Sequence, residues 1–303
     1  MSQRVSDVND TTPLLGSTSN ATTNGDNNNK NKQGVRQHLL AMTPRQSFLA
    51  LIVLAAAVFF SVYLLLHNNL PKDIPEERKD WLKFPTNAEE VQHLSMVLSD
   101  YVKDHYSPVL FCFVATYLAM QAFAVPGSVM LSVLGGALFG LWVGIVVVLL
   151  AASIGSTFCY LISYYLGHPI VEKYLTERIA KLKKKIDSKR DQLFFYFAFL
   201  RVTPFIPNWF MNVASPHLDI PIVIFYFGTL LGVLPNTLVT VQAGVTLAAL
   251  ASPDDFTLLT PQNIIMTVVI CICLLIPIVL HRHADDPNAD SKTDEEEETL
   301  ARV

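Results

Sequence analysis

The part of the chain that decides the fold is residues 193–216, which read LFFYFAFLRVTPFIPNWFMNVASP. An apolar leg of about ten residues is interrupted by Pro204 and Pro207, and a short leg then leads to Pro216. Proline breaks a helix, and one helical crossing of a bilayer takes about 20 apolar residues. Two crossings do not fit here, so the pattern predicts a re-entrant hairpin that enters and leaves the membrane on one side.

A second interrupted unit lies upstream, within residues 105–171, a run of 67 residues without Asp, Glu, Lys or Arg. Val125-Pro126-Gly127-Ser128 breaks this run. The following apolar leg, residues 129–140, covers only about 18 Å as a helix, whereas the hydrocarbon is roughly 30 Å thick. The sequence therefore predicts a first hairpin at 108–140 and a full span at 141–166.

The remaining segments supply further spans and polar ends, and they complete an all-α polytopic membrane protein with two re-entrant hairpins and about four full spans. One hairpin enters from each side and each is followed by a span, which is the outline of an inverted repeat. Before the core we predict a disordered cytosolic tail (1–47), a first transmembrane helix (48–66) and a luminal loop with an amphipathic helix (67–107). The core (108–250) consists of the first hairpin (108–140), the span (141–166), a basic cytosolic loop (167–192), the second hairpin (193–219) and a span (221–250). After the core we predict a last transmembrane helix (262–281) and an acidic cytosolic tail (282–303).

The amphipathic helix of the luminal loop has a start signal and a periodic apolar face. Thr86-Asn-Ala-Glu89 has the spacing of a capping box. Apolar residues then recur at helical spacing, as at Val91, Leu94 and Leu98. Two placements stay open for this helix: it lies in the membrane interface, or it docks on the helix bundle.

The charge pattern sets the predicted topology. Residues 172–191 carry eight basic and four acidic side chains, whereas the 67–107 loop is acidic on balance. Basic loops remain in the cytosol, so both termini are expected there. A basic helix beside the cytosolic leaflet attracts anionic headgroups. The residues predicted to contact anionic lipid are Lys181, Lys183, Lys184 and Lys185.

Arg201 is the one basic residue between Arg190 and Arg282, and it lies inside the apolar leg of the second hairpin. An arginine at mid-membrane costs about 2.5–3.5 kcal/mol on insertion scales. It is therefore expected to face a cavity, to pair with carbonyls freed at Pro204, or to hold a lipid phosphate. A purely structural role, fixing the hairpin, stays open beside a role in a lipid path.

The two hairpins are expected to meet near the midplane, because irregular backbone at that depth needs cover from protein or a water-filled cavity. Function is therefore predicted where Val125–Ser128 meets Pro204–Asn208. The candidate residues of the lipid path and the re-entrant hairpins are Pro126, Gly127, Ser128, Arg201, Pro204, Pro207, Asn208 and Asn212.

Several classes of function are excluded or disfavoured by what the sequence lacks. The long uncharged run excludes a soluble enzyme and a nucleic-acid binder. The sequence has no phosphate-binding P-loop, no visible nucleophile–base pair and no cysteine spacing typical of a metal site. We therefore expect no catalytic residue, no metal and no cofactor. The first hairpin and the long spans also hold no deep carboxylate of the kind that a proton or sodium relay requires.

Seven short motifs carry a resemblance to a known family, and the string at 199–210 is the specific one, whereas isolated glycine motifs would not be. They are Phe123-Ala-Val-Pro-Gly-Ser128, Leu134-Gly-Gly136, Tyr164-Tyr-Leu-Gly167, Phe199-Leu-Arg-Val-Thr-Pro-Phe-Ile-Pro-Asn-Trp-Phe210, Ser215-Pro216, Gly228-Thr-Leu-Leu-Gly232 and Ala243-Gly244. In this order the chain resembles the transmembrane protein 41 (stasimon) family of the DedA / VTT-domain superfamily, from about Tyr106 to Leu280.

The resemblance implies an energy-independent phospholipid scramblase of the endoplasmic reticulum membrane that supports autophagosome formation and lipid distribution. Its implied partners are membrane phospholipids, a scramblase similar to vacuole membrane protein 1, and lipid-transfer proteins. Two alternatives remain: a proton- or ion-coupled secondary transporter of the DedA type, and a non-transporting organiser of membrane contact sites. The acidic dileucine-like string ending at Leu14-Leu15 does not choose among them.

The chain departs from the bacterial pattern at two positions that bear on this choice. Bacterial DedA proteins have an acidic residue after the first Pro-Gly, where this chain has Ser128, and a second arginine where it has Pro207. Those groups are associated with proton-coupled transport, so their absence disfavours the transporter. A smaller departure is His168, which stands where the family often has arginine.

Overall fold

The computed structural model describes residues 43–69, 83–202 and 206–250, and within them every regular element is a helix. The expected all-α class is confirmed. The predicted tails, the predicted last transmembrane helix at 262–281, Leu14-Leu15 and Pro204 lie outside the described residues. The elements are α1 (Pro44–Asn69), α2 (Ala88–Asp104), α3 (Tyr106–Ala122), α4 (Ser128–Ile162), a π-helical turn (Ser163–Gly167), α5 (His168–Tyr174), α6 (Thr176–Asp187), a 3₁₀ turn (Arg190–Gln192), α7 (Leu193–Val202), α8 (Asn208–Ala214), a second 3₁₀ turn (Ser215–Leu218) and α9 (Ile222–Leu250).

Three stretches of the described chain are long and apolar enough to cross a membrane: Pro44–Asn69, Ser128–Tyr174 and Ile222–Leu250. The middle stretch is bent back on itself, because Gly140 inside α4 has φ 74° and ψ −176°. We call residues 128–139 the return arm of α4 and residues 141–162 its long arm.

The first hairpin is formed by α3 and the return arm, which run antiparallel. The rings of Phe113 and Phe139 are 5.2 Å apart near the open end, and the hydroxyls of Tyr117 and Ser132 are 3.0 Å apart nearer the turn. The turn contains Gly127 at φ 113°, a left-handed conformation that glycine adopts without strain.

The depth of this turn can be read from α1. The ring of Phe123, at the turn, lies 5.7 Å from that of Phe59. Phe59 is ten residues before the end of α1 at Asn69, which is about 15 Å along the helix axis. The first hairpin therefore turns near mid-height of a helix that has the length and composition of a membrane span.

The second hairpin consists of α7, α8 and the 3₁₀ turn that follows, and α9 continues from it. Phe197 of α7 packs on Phe225 at a ring distance of 5.6 Å, and Ala198 and Arg201 lie against Gly232. Because the contacts advance along both helices in the same order, α7 and α9 are parallel. The chain must therefore reverse direction between them.

The two halves of the core are related by inversion. The hydroxyl of Tyr160, late in the long arm, donates to the Ile220 carbonyl at 2.9 Å, just before α9 begins. Gly144, early in the long arm, lies against Val241, late in α9. The long helix of each half thus runs antiparallel to the other, as an inverted repeat requires.

Helix α2 docks on the bundle, which decides between the two placements that the sequence left open. Val91, Leu94, Leu98 and Val102 are buried in the same apolar cluster as the first hairpin. Burying several such side chains contributes roughly 1.5–3 kcal/mol each. This burial stabilises the contact between α2 and the first hairpin.

The start of α2 differs from the predicted capping box by one residue. The N-cap is Asn87, whose Oδ1 accepts from the backbone N–H of Glu90 at 2.9 Å. The Glu90 carboxylate accepts in turn from the backbone N–H and the hydroxyl of Thr86, both at 2.7 Å. The predicted Thr86–Glu89 pair is wrong because the helix begins after Asn87, which makes Glu90 the third helical residue.

Candidate functional site

Arg201 lies in the interior of the second hairpin and is 6% exposed. Its guanidinium carbon is 5.1 Å from the ring centre of Phe197 and 4.8 Å from that of Phe225. Both rings attract the cation through their π-electrons. The neighbouring helix accepts the side chain because Gly232 carries no Cβ, which would overlap Arg201.

The charge of Arg201 has aromatic partners, but some of its N–H groups have no hydrogen-bond partner. Nε and Nη2 are buried and have no hydrogen-bond partner. Across residues 43–69, 83–202 and 206–250, no carboxylate forms an ion pair with this side chain. Buried donors are almost always satisfied, by protein, water or a ligand, so we expect a polar molecule, water included, beside these two N–H groups.

The height of Arg201 follows from its neighbour in α9. Gly232 is ten residues after Ile222, the first residue of α9, or about 15 Å along the axis. Arg201 therefore lies about a third of the way along the 29-residue helix, well inside it. The expected depth of Arg201 in the bilayer stays a prediction.

Asn212 is the second candidate residue with an unmet hydrogen bond. Its side chain is 1% exposed, and its Oδ1 has no partner. Asn208 is exposed, at the start of α8, and Pro207 forms the N-cap of that helix. The second hairpin thus brings a buried orphan acceptor and buried orphan donors into one half of the core.

The turn of the first hairpin belongs to a different packing cluster. Val125 packs against the cluster that contains the first hairpin, whereas Ile206 packs against the cluster that contains Phe197 and Phe210. A Cβ at Gly127 would approach the Phe84 ring to 3.1 Å, so the segment before α2 covers this turn. None of the described contacts joins the two turns, and their expected meeting stays a prediction.

The basic loop forms α6, and its apolar face is buried. Ile179, Leu182 and Ile186 pack in the cluster of the second hairpin, which leaves Lys181 and Lys184 exposed and Lys185 half-buried. A helix with this division of faces lies flat on the bundle and turns its lysines outward.

Lys183 differs from the other three candidate lysines because it forms an ion pair within the protein. Its Nζ is 2.5 Å from Oδ2 of Asp219, at the mouth of the second hairpin. Arg190 reaches the same place, donating to the carbonyls of Asp219 at 3.0 Å and Leu218 at 3.3 Å. No local sequence pattern indicates this pair, because Asp219 is 36 positions away from Lys183.

A further polar group that the sequence did not single out lies where α4 gives way to the π-helical turn. The hydroxyl of Ser163 donates to the Val213 carbonyl at 2.7 Å and lies 3.1 Å from Nε2 of His217. The His217 ring is 5.6 Å from that of His168, whose Nδ1 is 3.7 Å from the Glu172 carboxylate. Burial, and then the neighbouring His168, lower the pKa of His217 from 6.5 to about 4, which keeps it neutral near pH 7.

The described residues hold no group of three or more His, Cys, Asp or Glu side chains that could bind a metal ion. Cys112 and Cys159 are free and buried on different helices. The polar chemistry of this site therefore consists of one unpaired guanidinium, amide and hydroxyl groups, and a neutral histidine.

Comparison with known proteins gives three kinds of result. Residues 125–246 match the VTT domain model. Proteins named transmembrane protein 41B are 36% identical in Homo sapiens, over 242 residues (80% of this chain, 82% of that one), and 40% identical in Danio rerio, over 211 residues (70% and 74%). A Dictyostelium discoideum protein named transmembrane protein 41 homolog is 44% identical over 187 residues (62% and 56%). No solved structure matches the chain.

Proposed function

The chain belongs to the transmembrane protein 41 family of VTT-domain membrane proteins, and we propose that it is an energy-independent phospholipid scramblase. The observation that carries the proposal is the buried guanidinium of Arg201, whose two unpaired N–H groups lie well inside a membrane-length helix bundle, about 15 Å from the start of α9. A headgroup that crosses the bilayer needs a polar partner at that height, because the hydrocarbon offers none.

The inverted arrangement of the core supports the same proposal. Broken helices shorten the apolar distance that a headgroup must cross, and inverted repeats place them on opposite sides of the midplane. The lipid tails stay in the bilayer while the headgroup passes between polar groups of the protein. Such a process is downhill and needs neither a nucleotide nor a covalent step, so the protein acts without being an enzyme and without a cofactor.

We place the protein in the endoplasmic reticulum membrane, with both termini in the cytosol, on the strength of the family and of the basic loop. There it supports autophagosome formation and the distribution of lipids between leaflets. Its partners are membrane phospholipids, a scramblase similar to vacuole membrane protein 1, and lipid-transfer proteins that deliver lipid to one leaflet. Co-purification of such a lipid-transfer protein with the full chain tests the last point.

The proposal is tested by reconstituting the purified chain into phospholipid vesicles that contain a fluorescent lipid in both leaflets. An impermeant reductant quenches only the outer leaflet, so scrambling raises the quenched fraction above one half without nucleotide or gradient. A quenched fraction that stays near one half contradicts the proposal and favours the alternative of a non-transporting organiser of membrane contact sites. A signal that appears only when a pH gradient is imposed favours the coupled transporter.

A further inference from the structure

The end of α6 presents a serine to solvent within the basic loop. Ser188 forms the C-cap of this helix, and it is exposed together with the residues from Asp187 to Asp191. Its hydroxyl donates to the carbonyl of Lys185 at 2.8 Å. Because the last carbonyls of a helix have no partner within the helix, this side chain satisfies a group that the backbone leaves open. Ser188 is therefore accessible from solvent and also part of the helix terminus.

The charge around Ser188 distinguishes it from the hydroxyl at the other end of the same helix. Four basic and two acidic residues lie within four positions of Ser188, whereas Thr176 has two of each. Thr176 is also exposed, and its hydroxyl donates to the carbonyl of Glu172. Protein kinases select substrates partly by the charges beside the hydroxyl. The surroundings of Ser188 suit a kinase that recognises Lys and Arg, and the basic residues concerned are Lys184, Lys185, Lys189 and Arg190.

We propose that Ser188 is the phosphorylation site of a serine/threonine kinase that recognises basic sequences, and that the phosphate weakens the contact of α6 with anionic lipid. The Ser188 oxygen bonds to the γ-phosphorus of Mg²⁺-bound ATP, the bond between that phosphorus and the β–γ bridging oxygen breaks, and ADP leaves. The hydroxyl proton passes to the catalytic aspartate of the kinase. The expected cytosolic side of the loop is the side on which kinase and ATP are present. The proposal extends the predicted lysine contact and does not depend on scrambling.

The first effect of the phosphate is on net charge. The 172–191 loop carries eight basic and four acidic residues, and a phosphoserine adds about −1.5 to −2 charges at pH 7. The net positive charge of the loop is therefore roughly halved. Attraction to an anionic leaflet grows with each basic residue near the surface, so it falls with each charge that is neutralised. Phosphorylation of Ser188 thus acts in the opposite direction to the lysines of α6.

The second effect of the phosphate is on the end of α6. As a dianion, phosphorylated Ser188 has no proton to donate to the Lys185 carbonyl, and its charge lies beside the negative end of the helix dipole. It also offers Arg190 a stronger acceptor than the carbonyls of Leu218 and Asp219, to which that side chain donates at 3.3 and 3.0 Å. Both changes loosen the last turn of α6 and draw its basic neighbours toward the phosphate instead of toward lipid.

Site-resolved phosphorylation of the full chain tests the assignment of Ser188. Wild type, Ser188→Ala and Thr176→Ala, each in neutral detergent, are incubated with Mg²⁺-ATP and the catalytic domain of a serine/threonine kinase that recognises basic sequences. Phosphopeptide mass spectrometry measures the initial rate at each hydroxyl of the loop. We expect Ser188 to be phosphorylated about tenfold faster than Thr176, because the neighbouring charges favour it, and Thr176→Ala to leave the rate at Ser188 unchanged. If Ser188 stays unmodified in the folded chain, or is modified no faster than Thr176, the assignment is overturned.

The effect on lipid contact is measured with a fluorophore on α6. Ala180 is exposed on this helix, so Ala180→Cys provides the labelling position in a chain whose native cysteines are replaced by alanine and which is shown to be monodisperse. The labelled chain, with and without prior phosphorylation, is reconstituted into vesicles that contain or lack phosphatidylserine. Quenching by a lipid with a spin label on its headgroup reports how close α6 lies to the membrane surface.

Phosphatidylserine should increase quenching of the unphosphorylated chain, and phosphorylation should reduce that increase about twofold, in line with the halved net charge. The control Ser188→Ala, taken through the same kinase reaction, should retain the full increase. Neutral vesicles should give the same quenching with and without the phosphate. Equal quenching before and after phosphorylation in anionic vesicles, or no effect of phosphatidylserine on the unphosphorylated chain, would overturn the proposed weakening of lipid contact. Neither measurement involves lipid scrambling, so its failure is distinct from failure of the proposed function.

Discussion

Arg201 shows how a single residue constrains the function of the chain. A buried N–H without a partner costs about 1–3 kcal/mol, and Arg201 has two. Contact with Phe197 and Phe225 offsets part of this cost through the charge, but an aromatic ring face cannot satisfy both groups as a carbonyl would. The remaining cost is removed when water or a phosphate enters, which is why we connect this residue with transport.

Glu90 allows a prediction about pH. Hydrogen bonds from Lys83 and from the backbone and hydroxyl of Thr86 lower the pKa of Glu90 from 4.5 to about 2. A group with a depressed folded pKa stabilises the fold above its unfolded pKa and loses this contribution as pH falls toward the folded value. The difference in melting temperature between wild type and Glu90→Gln should therefore be constant above about pH 5 and shrink from pH 4.5 toward pH 2.

The matched control is Glu89→Gln, since Glu89 is exposed on the first turn of the same helix. Its melting temperature in detergent should follow that of wild type at each pH. If Glu90→Gln melts like wild type at pH 7, the hydrogen bonds around Glu90 do not stabilise the start of α2.

Among the helices, the closest contact joins the return arm to α9. A Cβ at Gly244 would overlap the Val133 carbonyl oxygen, and one at Gly136 would overlap that of Val241. Gly244→Ala should destabilise the folded protein by about 1–3 kcal/mol, the usual cost of overpacking. Ala243→Leu is the control, because Ala243 is exposed and should tolerate the larger side chain. Thermal unfolding in detergent distinguishes them; equal melting temperatures would show that the helices separate easily.

Testing Lys183 separately from the other three lysines of α6 examines lipid contact more sharply than replacing all four together. The ion pair with Asp219 does not include Lys181, Lys184 or Lys185. Each basic residue close to an anionic membrane surface contributes about 1 kcal/mol to the attraction between protein and surface. Replacing these three by Gln should reduce binding to vesicles rich in phosphatidylserine and leave binding to neutral vesicles unchanged. The control Lys183→Gln should retain the preference for anionic vesicles. Loss of preference in the control alone would assign lipid contact to the mouth of the hairpin.

The helices also show what the sequence could and could not predict. The ends of α3, α4 and α8 lie beside Pro126-Gly127 and Pro207, since proline and glycine act on the backbone locally. The docking of α2 was left open, because an apolar face alone does not tell whether lipid or protein covers it. The Lys183–Asp219 pair and the contact of Ser163 with His217 join residues far apart in sequence, so no local pattern indicated them.

For the whole molecule, the predicted topology determines the direction in which a headgroup enters. The basic loop at 172–191 is expected in the cytosol and the 67–107 loop in the lumen. A glycosylation site engineered near Lys184 should remain unmodified in cells, whereas one near Asn87 should be modified. Glycan on the site near Lys184 would overturn this topology.

The central claim is that Arg201 provides the polar partner for headgroups inside the core. The most direct test is the scrambling rate in vesicles of wild type, Arg201→Lys and Arg201→Leu at equal protein density, after each is shown to be monodisperse in detergent. We expect Arg201→Leu to scramble at least about tenfold more slowly than wild type, since about 1.4 kcal/mol of lost stabilisation is a factor of ten, and Arg201→Lys to fall between them. A monodisperse Arg201→Leu protein that scrambles at the wild-type rate would contradict the account.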